Sequence, residues 1–101
     1  MNPLIGKWKQ PEGQAYAGLI FDFKEDGTFE SQYPDMGVTS SGTYSVEGDL
    51  IQMDQTSHNF GLLGKFAGRF KLEGETLKLI FGNPGEPAPE DMSKARLYLK
   101  I

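Results

Sequence analysis

The chain has no cysteine and a single histidine, His58, among its 101 residues. The first absence excludes disulfides and thiolate metal sites. The second excludes a multi-histidine metal centre within one chain. No apolar run approaches the roughly 20 residues that a membrane-spanning helix needs. Sustained helical spacing is missing too, and the best helix candidate is a turn or so over residues 88–94. Positive charge is in the minority: ten Lys and Arg against 14 Asp and Glu leave a net −4. That balance argues against nucleic acid or an anionic membrane as partner. No linker or low-complexity segment interrupts the chain, so residues 1–101 read as one domain. Met1-Asn2-Pro3-Leu4 lacks the character of a signal peptide, and a cytoplasmic location is expected unless a leader has been removed.

What the chain does contain is aromatic side chains, seven Phe, four Tyr and one Trp, set in short period-two runs. Tight acidic-glycine turns, Glu25-Asp26-Gly27, Glu47-Gly48-Asp49 and Glu73-Gly74-Glu75, join these runs into hairpins. Longer connections, 10–18, 34–37, 56–64 and 82–94, fall between the hairpins. Eight strands are predicted, over 4–9, 19–24, 28–33, 38–46, 50–55, 65–72, 76–81 and 95–101. In an up-and-down meander every second connection lies at the same end. The tight turns should therefore gather at a closed end and the long loops around a mouth. Each strand has one apolar face, and eight such strands can close into a barrel that is either packed or holds one small ligand. The fold expected is an all-β, eight-stranded antiparallel up-and-down barrel; the alternative is an open β-sandwich. Gly42 and Gly68, inside strands four and six, mark expected bends or bulges.

Gly6-Lys7-Trp8 in the first strand resembles the Gly-x-Trp of the lipocalin and fatty-acid-binding protein superfamily, the calycins. Phe21-Asp22-Phe23-Lys24-Glu25-Asp26-Gly27-Thr28-Phe29 is similar to the second hairpin of small bacterial lipocalin-like domains. Gly42-Thr43-Tyr44 with Glu47-Gly48-Asp49 is similar in the same way. The resemblance implies a barrel whose Trp8 plugs the closed end. Arg96-Leu97-Tyr98 is similar to the Arg-x-Tyr that grips a carboxylate in fatty-acid-binding proteins, which implies an inward Arg96 and Tyr98. The local alternation implies the reverse, with Ala95, Leu97, Leu99 and Ile101 inward and Arg96, Tyr98 and Lys100 outward. Fatty-acid-binding proteins also insert two helices after the first strand. Here only residues 10–18 are available, so any lid must come from other loops.

The leading functional expectation is non-enzymatic binding of a small hydrophobic or amphipathic ligand. Its wall would be Phe21, Phe23, Phe29, Tyr33, Tyr44, Met53, Phe66, Phe70, Leu79 and Phe81, with Arg96 and Tyr98 as polar anchors. The mouth loops would contribute Tyr16, Met36, His58, Phe60, Leu62, Leu63 and Met92. Phe60-Gly61-Leu62-Leu63-Gly64 sets three large apolar residues between glycines, as a rim or as a contact with another molecule. His58 could serve as a haem ligand or a general base, but a lone loop histidine reads first as a solvated polar residue. Asp22 and Asp54 fall on outward faces and form no catalytic pair. Gly-Asn-Pro-Gly at 82–85 reads as a turn and not a phosphate loop. No metal, cofactor or catalytic residue is expected. Two other readings stand: a filled barrel that docks a protein or a second copy of the chain, and a lipocalin-like cyclase or isomerase.

Overall fold

The computed structural model describes residues 4–14, 16–59, 61, 63–82 and 85–101. Eight antiparallel strands form one closed barrel in sequence order. They are β1 (Gly6–Lys9), β2 (Ile20–Phe23), β3 (Thr28–Tyr33), β4 (Val38–Glu47), β5 (Leu50–His58), β6 (Gly64–Glu73), β7 (Thr76–Phe81) and β8 (Arg96–Lys100). Short 3-10 turns at Pro34–Met36 and Met92–Lys94 are the only helical elements among the described residues. The expected helical turn over 88–94 thus shrinks to its last three residues, because two prolines precede it and Asp91 caps its start through the Ser93 N–H.

The closed end follows from turn chemistry. The N–H and hydroxyl of Thr28 both donate to the Asp26 carboxylate, at 3.0 and 2.6 Å. These bonds hold that carboxyl below its usual range, the hydroxyl bond being the larger cause. Gly48 and Gly74 stand at φ of +61° and +63° in the other two tight turns, where a side chain would be strained. Above these turns the inward faces pack into one core of Trp8, Phe23, Phe29, Tyr44, Ile51, Phe70, Leu77 and Leu79. The Trp8 indole N–H donates to the Leu4 carbonyl at 3.0 Å, and the ring is 1% exposed. Its polar atom is therefore satisfied within the core.

Two glycines lie where neighbouring groups approach the backbone too closely for a side chain. A β-carbon on Gly42 would sit 1.9 Å from the Asp54 carbonyl oxygen, and one on Gly68 would sit 2.6 Å from the Phe81 ring. At Gly42 the β4–β5 register shifts: Ser41 pairs with Ser57, but Gly42 pairs with Gln55. Thr56 is the extra residue of a β-bulge. Strand β5 therefore runs on to His58, three residues past its expected end, because the bulge lets pairing with β4 resume.

The barrel closes between β1 and β8, where Trp8 pairs with Lys100 and Lys9 with Leu99. This closure reverses the face that local alternation implies for the last strand and sets Tyr98 on the side that the Arg96-Leu97-Tyr98 resemblance implies. Tyr98 pairs with Leu77 and Arg96 with Leu79, so both share the side of the sheet that carries the buried leucines. Tyr98 is 3% exposed, whereas Leu99 is 42% exposed on the outer wall. A five-residue strand paired on both edges takes its register from its neighbours, not from its own weak alternation.

Candidate functional site

The interior is divided. Its closed half is filled by the core, and its loop half holds a cavity of about 280 Å³. Leu19, Phe21, Val38, Met53, Phe66 and Phe81 form the apolar wall, completed by Gly82, and Ser31, Ser40, Gln55 and His58 form a polar strip. Phe21 is the floor. Its ring stacks on Phe23 with centroids 5.6 Å apart, and it meets Tyr98 at 5.6 Å and Phe81 at 6.3 Å. Below it Phe23 lies 4.9 Å from Tyr44, whose hydroxyl donates to the Lys24 carbonyl at 2.8 Å. The aromatic stack seals the lower half and ends where the cavity begins.

The polar strip follows the register across three strands, continuing the row from Phe21 on β2. Phe21 pairs with Ser31, Ser31 with Ser40, and Ser40 with His58. The hydroxyls of Ser31 and Ser40, both buried, hydrogen-bond to each other. His58 joins the strip because of the bulge. Met53 and Gln55 are inward, so strict alternation would turn Ser57 inward and His58 outward. The extra residue at Thr56 leaves Thr56 and Ser57 both exposed and brings the half-buried His58 to the cavity wall. Asn59 fixes this end of the strand: its carboxamide accepts from the Thr39 N–H at 3.0 Å and donates to the Gly37 carbonyl.

The mouth is strapped on its other side. Gln10 is buried, donates to the Tyr98 hydroxyl at 2.9 Å and accepts from the Tyr16 N–H at 3.1 Å. Gln14 accepts from the Leu97 N–H at 2.9 Å, which ties the β1–β2 loop to β8. Tyr16 meets Tyr33 edge to face at 6.1 Å, and the Arg96 guanidinium lies 5.7 Å from the Tyr16 ring centre. Burial pushes the Tyr98 phenol up to about 12, with the Gln10 hydrogen bond opposing.

Of the residues expected to form a ligand wall, Phe21, Met53, Phe66 and Phe81 line the cavity. Phe23, Phe29, Tyr44, Phe70 and Leu79 belong to the packed closed half. Tyr33 and Arg96 stand at the mouth around Tyr16, and Tyr98 is held by Gln10 beneath them. Among the mouth residues, His58 is on the cavity wall, while Tyr16, Met36 and Leu63 are exposed and Met92 is half-buried in a 3-10 turn. Phe60 and Leu62, and the turn residues Asn83 and Pro84, lie outside the described residues. The sequence reading passed over Leu19, Val38, Ser31, Ser40 and Gln55 as ligand contacts. Period-two counting from Phe21, Phe29, Tyr44 and Met53 reaches every one of them, and the polar ones were overlooked because the wall was sought among large apolar side chains.

Among the described residues no three acidic or histidine side chains gather as metal donors, and no buried side-chain nitrogen or oxygen lacks a partner. The closed barrel with its buried apolar interior is consistent with small-molecule binding and with a lipocalin-like fold. No protein-family model, curated protein or solved structure matches the chain.

Proposed function

We propose that this protein is a lipocalin-like container that takes up one small apolar or amphipathic molecule in the loop half of its barrel, without catalysis. The observation that carries this reading is the division of the interior. The closed half is packed solid, while about 280 Å³ beside Phe21, Met53, Phe66 and Phe81 stays open. The apolar side chains around this open cleft face solvent, a cost that a bound apolar molecule removes. The Gly6-Lys7-Trp8 motif on the first strand of an eight-stranded meander supports placing the chain among the calycins.

Volume sets the ligand size. At about 30 Å³ per water, the cavity holds about nine waters or an organic molecule of about ten heavy atoms. Binding would be driven by desolvation against the aromatic floor, with a Kd of about 10 µM to 1 mM after association costs. Native mass spectrometry of protein purified from its own host, paired with an NMR titration of toluene, tests the reading. A co-purifying small molecule, or saturable shifts around Phe21 and Phe66 that Val38→Phe suppresses, supports it. A bare mass together with unmoved resonances would sink it.

A further inference from the structure

We infer that the Ser31–Ser40–His58 row is a built subsite for an uncharged hydrogen-bonding head group, so that the cavity prefers small alcohols to carboxylates of the same length. This deepens the container reading and rests on it.

Three observations carry the inference. The first is stoichiometry. Two hydroxyls bonded to each other share one of their two hydrogens, which leaves a second O–H and several lone pairs. Both serines are buried at inward positions otherwise held by Phe, Tyr and Met, so that capacity faces the cavity. An alcohol, which both donates and accepts, can join such a pair by completing its chain of hydrogen bonds.

The second is the bulge. If β5 ran past Gln55 in strict alternation with no bulge, Ser57 would point inward and His58 away from the barrel. A β-bulge commonly re-aims a side chain, and this one adds an imidazole directly across from Ser40. The strip thus runs unbroken over β3, β4 and β5, opposite the apolar wall of Leu19, Phe66 and Phe81.

The third is charge. Among the described residues lining the cavity there is no lysine or arginine. The Arg96 guanidinium stacks against Tyr16 at the rim, and the Tyr98 hydroxyl is engaged by Gln10. A carboxylate entering here would shed water without meeting a fixed counter-charge, which is far costlier than burying a hydroxyl that finds partners.

The test uses three probes on the whole chain at pH 8.5, where a free carboxylate is fully ionised. They are toluene, 1-octanol and octanoate, each followed by NMR shifts of cavity residues. Octanol should bind at least about tenfold more tightly than octanoate. In the double variant Ser31→Ala, Ser40→Ala, the ratio of octanol to toluene affinity should fall about fivefold. Replacing both members of a hydrogen-bonded pair is close to neutral for folding, so the variant remains usable. If toluene binds but octanoate matches octanol, or the double variant leaves the octanol-to-toluene ratio unchanged, the inference is overturned and the container reading survives. If neither toluene nor octanol shifts the cavity resonances, the container reading fails and the inference falls with it.

Discussion

Single residues decide how tightly this barrel can coil and over what range of pH it stays closed. At Gly42 a β-carbon would meet the Asp54 carbonyl oxygen at 1.9 Å, and both atoms belong to paired strands that cannot move apart independently. Gly42→Ala should therefore cost about 2–4 kcal/mol in a urea titration. An unchanged midpoint would mean that the bulge absorbs the methyl group. Tyr98 sets the alkaline limit. An unfolded tyrosine ionises near pH 10, whereas burial holds the Tyr98 proton up to about 12. Its contribution is complete below pH 10 and declines as the pH rises toward 12, by up to roughly 3 kcal/mol. Tyr98→Phe should flatten that part of the stability curve. At pH 7 it should cost about 1–3 kcal/mol, because the buried Gln10 amide loses its acceptor. Equal pH slopes for the two proteins between 10 and 12 would count against this account.

At the scale of an element, β5 shows how one residue changes a strand's role. Its first half alternates cleanly through Ile51, Met53 and Gln55, all buried. Past the bulge the phase is inverted, and His58 takes an inward place that sequence counting denies it. Deleting Thr56 removes only the extra residue, so Gln55, Ser57 and His58 should alternate in, out and in, with the same β4 partners and His58 still on the cavity wall. Carbethoxylation of His58 and octanol affinity should then both match the parent, with the β-sheet circular dichroism retained. A deletion variant whose His58 reacts much faster would show that the bulge itself, and not the pairing on either side of it, holds the imidazole inward. Strand β8 is the opposite case. Nothing within its five residues fixes its face, and pairing with β1 and β7 imposes one.

The molecule as a whole separates stability from binding along the barrel axis. Leu77 lies in the packed closed half, and Val38 lines the cavity. Leu77→Ala should destabilise the fold by about 2–5 kcal/mol and leave toluene affinity within about twofold. Val38→Phe should do the reverse: stability within about 1 kcal/mol of the parent, with toluene binding at least tenfold weaker. Thermal unfolding with and without toluene reads both effects, since a ligand at 100 times its Kd adds about 2.7 kcal/mol. Loss of binding in Leu77→Ala, or retention in Val38→Phe, would place the ligand elsewhere.

Local chemistry alone determined the eight strands, the three tight turns at one end and the inward faces of β2, β3, β4, β6 and β7. Turn residues and period-two alternation act over a few neighbours, so they are readable one segment at a time. Residues Phe21, Met53, Phe66 and Phe81 were legible as interior for the same reason. Only the tertiary structure decided which aromatics fill the core and which border open space, because that depends on how rings from different strands meet. It alone placed Tyr98 inside and Leu99 outside, since closure of the barrel fixes β8 from both edges. And it alone brought His58 into line with Ser31 and Ser40, because a bulge arises from the fit of two strands and neither strand's sequence carries it alone.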